Sequence, residues 1–283
     1  MDIWLLPAPR AIEALSLPGF EPLSRRADVL PVTEPGLDAV LREAFGWVSD
    51  PPWAALLAGA DRESATPWLA ADLVHVRPEM SGARVLALAI DHDPADPDLA
   101  TLFAALQPWL ADEAIELVAT TGGRALLRCP ISHGDPATVA PDALLGCDLR
   151  GVLPADLRWQ RRLNEMQIVL AQQACNEARA ARQLPSWNTL WFWGQGSADD
   201  CPALPLAAVS SVDPLLLALA RHQDVATPDV DAASAGPALR DLRDPRRLAR
   251  AWAAGLRPRD ALLRCVDGNG WRVRGWQRWR VWR

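Results

Sequence analysis

Apolar residues recur along this chain with two periods, and the switches between them outline the elements. Leu37, Val40, Leu41, Ala44 and Phe45 fall at helical spacing and predict an amphipathic helix over 37–47. A short helix is expected near 53–57. Strands are expected over 72–77 and 84–90, joined by a turn at Ser81-Gly82. A helix over 99–110 follows, announced by Asp96-Pro97-Asp98, and then a hairpin of 115–119 with 124–129 about Thr121-Gly122-Gly123. Together these make a ββαββ unit over 70–130. Further on, Leu163, Met166, Leu170 and Ala174 mark one face of a helix that Leu184-Pro185 ends, because proline disfavours a helical residue before it. Leu190-Trp191-Phe192-Trp193 is a continuous apolar run, the sign of a strand covered on both faces, and Gly194-Gln195-Gly196 turns the chain at its end.

The remaining pattern fills out a second set of elements. Residues 3–6 read as a first core strand, 206–209 as another, and 214–222 as a helix. Residues 224–236, rich in Ala, Pro, Ser and Asp, read as a linker within the core. Asp244 and Pro245 open a helix to 256, and 262–266 pairs with 271–282 through Asp267-Gly268-Asn269-Gly270. The fold class expected is α/β: a mixed sheet flanked by helices, over 1–69 and 131–283, with the ββαββ subdomain of 70–130 inserted.

Composition changes this picture in two ways. The 283 residues suffice for one large core or two modest ones, and a formal net charge of -6 argues against general nucleic-acid affinity. All 29 basic residues are arginine, which excludes a Walker A loop and a pyridoxal Schiff base, both of which need lysine. Five cysteines at 129, 147, 175, 201 and 265 form no C-x-x-C pair and suggest reduced thiols in a cytoplasmic protein. No apolar run is long enough to span a bilayer, so no membrane association is expected.

Candidate chemistry is sparse. The histidines at 75, 92, 133 and 222 show no paired-ligand spacing; Asp91, His92 and Asp93 are the one dense group, read more simply as an acidic turn before the next helix. No metal or other cofactor is assigned. Gly194-Gln195-Gly196 resembles half of a phosphate-cradling loop, but a third glycine is missing and Asp199-Asp200 would repel an anion. On the C-terminal strand Trp271, Val273, Trp279 and Val281 alternate with Arg272, Arg274, Trp276, Arg278, Arg280 and Trp282. That pattern suits an edge strand, or stacking on single-stranded nucleic acid.

Taken in order, Asn164-Glu165, Asn176-Glu177-Ala178-Arg179, Trp187-Asn188-Thr189-Leu190 and Trp191-Phe192-Trp193-Gly194-Gln195-Gly196 resemble a stretch of the RpfE-type regulatory proteins of proteobacteria. Ala71-Asp72-Leu73-Val74-His75-Val76 and the Arg278–Arg283 end add thinner likeness. The same stretch is similar, more distantly, to archaeal-type cofactor-independent phosphoglycerate mutase. That resemblance implies a reduced alkaline-phosphatase-like core and makes Asn164, Glu165, Asn176, Arg179, Asn188, Trp193, Gly194 and Gly196 candidate ligand-binding residues. The mutase pattern itself is broken: Leu6-Pro7-Ala8-Pro9 lacks the expected Asp-Gly, Trp193 stands where the loop arginine is expected, and no histidine follows His222. The expectation is therefore a non-catalytic regulatory protein that binds a protein partner or a small phosphorylated ligand. A metal-dependent phosphomutase or phosphatase using Asp91, His92 and Asp93 is the enzymatic alternative, and single-stranded nucleic-acid binding a further one.

Overall fold

A computed structural model describes the chain except residues 35, 81, 137, 231, 233, 276 and 278–283 and the side chain of Pro22. In chain order the elements begin with β1 (Asp2–Leu6), α1 (Pro9–Ala14), α2 (Phe20–Arg26), β2 (Asp28–Val29), α3 (Leu37–Phe45) and α4 (Trp53–Leu57). Next come β3 (Trp68–Glu79), β4 (Gly82–Leu88), α5 (Pro97–Asp112), β5 (Glu116–Thr121) and β6 (Arg124–Arg128). Then follow α6 (Leu157–Ala171), α7 (Ala174–Ala181), β7 (Thr189–Gly196), β8 (Ala208–Ser210), α8 (Pro214–His222), β9 (Ala238–Asp241), α9 (Pro245–Ala253), β10 (Ala261–Cys265) and β11 (Gly270–Val273). The α/β class with sheets flanked by helices is as the pattern predicts. Three helices start with the same device. Asp96, Asp213 and Asp244 each accept a hydrogen bond from the second helical N–H, at 3.0, 2.8 and 2.8 Å, and a proline follows each at the first helical position.

The chain forms two compact units, one of residues 1–50 with 202–283 and the other of 51–201. The first holds a sheet in the order β2-β11-β10-β1-β9-β8, in which β10, β1, β9 and β8 run parallel and β11 runs antiparallel to both of its neighbours, β10 and β2. Trp4 and Leu6 of β1 pack with Leu248 and Trp252 of α9 and with Leu263 and Cys265 of β10 in one core. Burial of a run such as Ile3–Leu6 on both faces is what a parallel strand requires. Residues 224–236, expected as a linker, carry no helix or strand among the described residues but are tied down. Val209 N–H donates to Ala226 O, and Arg240 of β9 donates to Val230 O at 2.6 Å and Ala232 O at 3.2 Å. Val230 is part of the core.

The second unit contains the expected ββαββ stretch, with strands in the order β4-β3-β6-β5. It extends beyond 70–130 because β7 pairs antiparallel with β3, from Val74↔Thr189 to Trp68↔Gly196. The sequence expectation placed β7 in the main sheet with the first strand. Its all-apolar run reports burial and does not specify which strand lies alongside, and the neighbouring part of β3 is equally buried. α6 covers β7, with Trp159 against Phe192 at 5.0 Å between ring centroids. Only Gly270–Val273 of the expected 271–282 strand is a strand among the described residues; Trp276, Arg278, Trp279, Arg280, Val281 and Trp282 lie outside them.

Candidate functional site

The helical part of the segment 163–196, expected as one helix from Leu163 to the stop at Leu184-Pro185, is two. α6 ends at Ala171 and α7 starts at Ala174, with no proline between them. The break is made by Asn176, whose amide competes with the backbone for hydrogen bonds. Its Nδ2 donates to Leu170 O at 2.9 Å and Trp187 O at 3.0 Å, and its Oδ1 accepts from Trp187 N–H at 2.9 Å. Arg179, also buried, donates to Pro185 O at 2.8 Å and to Asp96 and Asp98 at 2.5 and 3.0 Å, and lies over the Trp187 ring. Arg179 and the Asp98 N–H hold the Asp96 carboxyl below its usual range against the desolvation that raises it. Asn188 gives Nδ2 to Val76 O and takes Val76 N–H on Oδ1, at 2.8 and 2.9 Å, standing in for a strand neighbour. Glu165 accepts from Arg161 and from the Trp109 indole, and Asn164 is exposed on α6. Glu165, Asn176, Arg179 and Asn188 thus spend hydrogen bonds within the fold.

Trp193 belongs to a buried charge network. Asp72, with no exposure at all, accepts Arg124 Nε and Nη2 at 2.7 Å each and the Trp193 indole N–H at 3.1 Å, while the Arg124 guanidinium lies 4.7 Å from the Trp193 ring centroid. Both carboxylate oxygens are filled, the arrangement that makes a buried ion pair tolerable. Gly194 and Gly196 do not form a turn or a cradle; they continue β7. Their φ values are +64° and +154°, and a methyl at Gly196 would stand 2.7 Å from Pro52 Cβ and one at Gly194 3.1 Å from Trp53 Cβ. The glycines let the chain leading into α4 lie close against the strand.

Asp91, His92 and Asp93 are not gathered round a common point. His92 stacks edge-on to Trp187 at 5.0 Å, Asp93 accepts the Ala95 N–H, and all three are exposed. Among the described residues no three His, Cys, Asp or Glu side chains lie close enough together to hold a metal ion. Cys129 Sγ lies 3.6 Å from His133 Nδ1, but burial pushes this thiol up to about 11, far from a ready thiolate.

A cluster not anticipated from sequence lies at the carboxyl ends of the parallel strands β8 and β9, the edge where open α/β sheets place ligands. Asp241, nearly buried, ends β9. Its Oδ2 accepts Ser211 Oγ at 2.6 Å and Arg243 Nη2 at 3.0 Å, and its Oδ1 accepts Arg243 Nε at 2.8 Å. Arg243 Nη2 also reaches Asp213 at 2.5 Å, and Asp213 N–H donates to Ser211 Oγ at 2.9 Å. Burial would raise the Asp241 carboxyl, but Arg243 and Ser211 together hold it below the ordinary 3.8, and the two carboxylates raise Arg243 in turn. The neighbouring Ser210 hydroxyl is buried with no partner. β9 itself escapes a periodicity reading because Ala238-Leu239-Arg240-Asp241 is half charged; the available signal was the Asp-x-x-Asp-Pro spacing just before α9.

No protein-family model matches the chain, and no curated protein matches it. Among solved structures it is similar to the PH0037 protein of Pyrococcus horikoshii, at 12% identity and a TM-score of 0.46, covering 95% of this chain and 84% of that one. It is also similar to a cofactor-independent phosphoglycerate mutase from Thermoplasma acidophilum, at 15% identity and a TM-score of 0.38, covering 97% and 90%.

Proposed function

We propose that this protein works by binding a partner or small ligand, as a cytoplasmic regulatory protein of RpfE type on a reduced alkaline-phosphatase-like scaffold, without turnover. The observation that supports this is the state of its best-placed carboxylates. Asp241 stands at the sheet edge where a base or metal ligand would be useful, yet both its oxygens are engaged by Arg243 and its pKa is held down. A carboxylate so stabilised in its charged form is a weak proton acceptor for the Ser211 hydroxyl it contacts. Asp72 is similarly engaged, by Arg124 and Trp193, and has no exposure to substrate.

A coupled assay for interconversion of 2- and 3-phosphoglycerate, with manganese, magnesium, cobalt and zinc supplied in turn, tests the reading. The expected result is no turnover above a matched blank. Metal-dependent turnover, abolished by chelator and by Asp241→Asn, would overturn it and support a phosphomutase or phosphatase centred on Ser211 and Asp241.

A further inference from the structure

We propose that the unit of residues 1–50 and 202–283 carries a binding site for a small organic cation, in the groove between α1, α2 and Trp271 of β11. The site goes beyond the reading above, because it stands whether or not any other part of the chain turns over a substrate.

The groove encloses about 590 Å³, within the range of pockets that take small molecules. Its floor is the outer layer of the core: Ile12 is buried, while Phe20 and Trp271 are partly exposed and pack against the buried cluster. Its charge is of one sign. Among the described residues Glu13 and Glu21 line it and no basic residue does. Glu21 pairs with Arg25 at 2.5 Å, but both side chains are more than 70% exposed, at 72% and 73%, so water and salt screen that pair and a desolvated cation can displace it.

The aromatic rings are held in place before any ligand arrives. Phe20 meets Trp271 edge to face at 6.2 Å and 90°, and meets Trp252 at 5.5 Å from the other direction. The Trp252 indole is fixed by its N–H to Pro18 O at 2.9 Å, so the α1–α2 connection is anchored from beneath. That connection is also strained. Ser16 has φ +48°, the left-handed region unfavourable to a residue with a Cβ.

These features select a chemical class. An anion is repelled by the two carboxylates. A bare metal ion would need converging oxygen ligands and leave the aromatic floor unused. An ammonium or guanidinium group on an apolar body satisfies the whole surface: charge to Glu13 and Glu21, ring face of Trp271 to the cation, body on Ile12 and Phe20.

Calorimetric titration of the full chain with phenethylammonium, phenethyl alcohol and hydrocinnamate, matched in size and differing in charge, tests this. The expected order is cation well above alcohol, with no binding of the anion. Glu13→Gln and Trp271→Ala should each weaken the cation about tenfold, and Glu13, being exposed, can change without unfolding the protein. Equal affinity for cation and alcohol, undiminished binding in Glu13→Gln, or no binding of any of the three would overturn the assignment.

Discussion

Two carboxylate–arginine networks sit in two kinds of sheet, and their difference is one of topology more than of residue type. Asp72 and Arg124 face each other as direct partners across β3 and β6, inside an antiparallel sheet that is covered over them. Asp241 and Arg243 are two residues apart in sequence, one at the end of a parallel strand and the other in the loop after it, where Arg243 remains 24% exposed. The first network is closed, with each oxygen filled and an indole completing the set. The second is open, shares its arginine with Asp213, and lies beside the unpartnered Ser210 hydroxyl. The same two residue types thus serve as a fastener in one unit and as an adjustable edge in the other.

The comparison is sharpest where one partner is removed. Asp72→Ala should cost about 3–5 kcal/mol in urea unfolding, because it leaves the Arg124 charge largely buried and the Trp193 indole without an acceptor. Replacing both partners, Asp72→Leu with Arg124→Met, should recover most of that loss. A cost below about 1 kcal/mol for Asp72→Ala would show that water reaches the pair. Arg243→Ala should cost less, about 1–2 kcal/mol, since Asp213 is partly exposed and can take up water while buried Asp241 keeps the Ser211 hydroxyl as a donor. An equal or larger loss than at Asp72 would erase the distinction.

Acid titration gives a smaller, signed effect. The Asp241 carboxyl is held below 3.8 in the folded protein, so its stabilisation is complete above that value and fades as pH falls through the lower folded pKa. Asp241→Asn should therefore differ from the parent by about 1 kcal/mol at neutral pH, with the gap closing only below pH 4. A gap that stays constant down to acid unfolding would show that the charge contributes nothing. Ser211→Ala should have the smallest effect, about 0.5–1 kcal/mol, because Arg243 still fills both Asp241 oxygens. Thermal unfolding of the two proteins side by side is sufficient to check it.

The sequence makes the fold largely legible and the site hardly at all. Asp-Pro starts reveal α5, α8 and α9 because the cap and the fixed proline φ act within a few residues. The hairpins of β5 with β6 and β10 with β11 follow from glycine turns between alternating strands. What stays hidden depends on distant partners. Nothing local says that β7 pairs with β3 across more than a hundred residues, or that Asn176 breaks a helix by bonding to Trp187. β9 was missed because Arg240 and Asp241 are charged yet buried, and only their partners, Val230, Ala232 and Arg243, explain how. The edge cluster was lost with the strand that carries it.

The register of β1 has a consequence for how the chain is made. Ile3 pairs with Leu239 on one side and Leu262 on the other, so this apolar strand leaves the ribosome long before either neighbour exists. At about 5–20 residues per second the wait is on the order of ten seconds or more, and the whole 51–201 unit is synthesised within it. For that interval Ile3-Trp4-Leu5-Leu6 is an open template for any other strand. The first strand of this unit can therefore enter its sheet only after the last of its partners has been made.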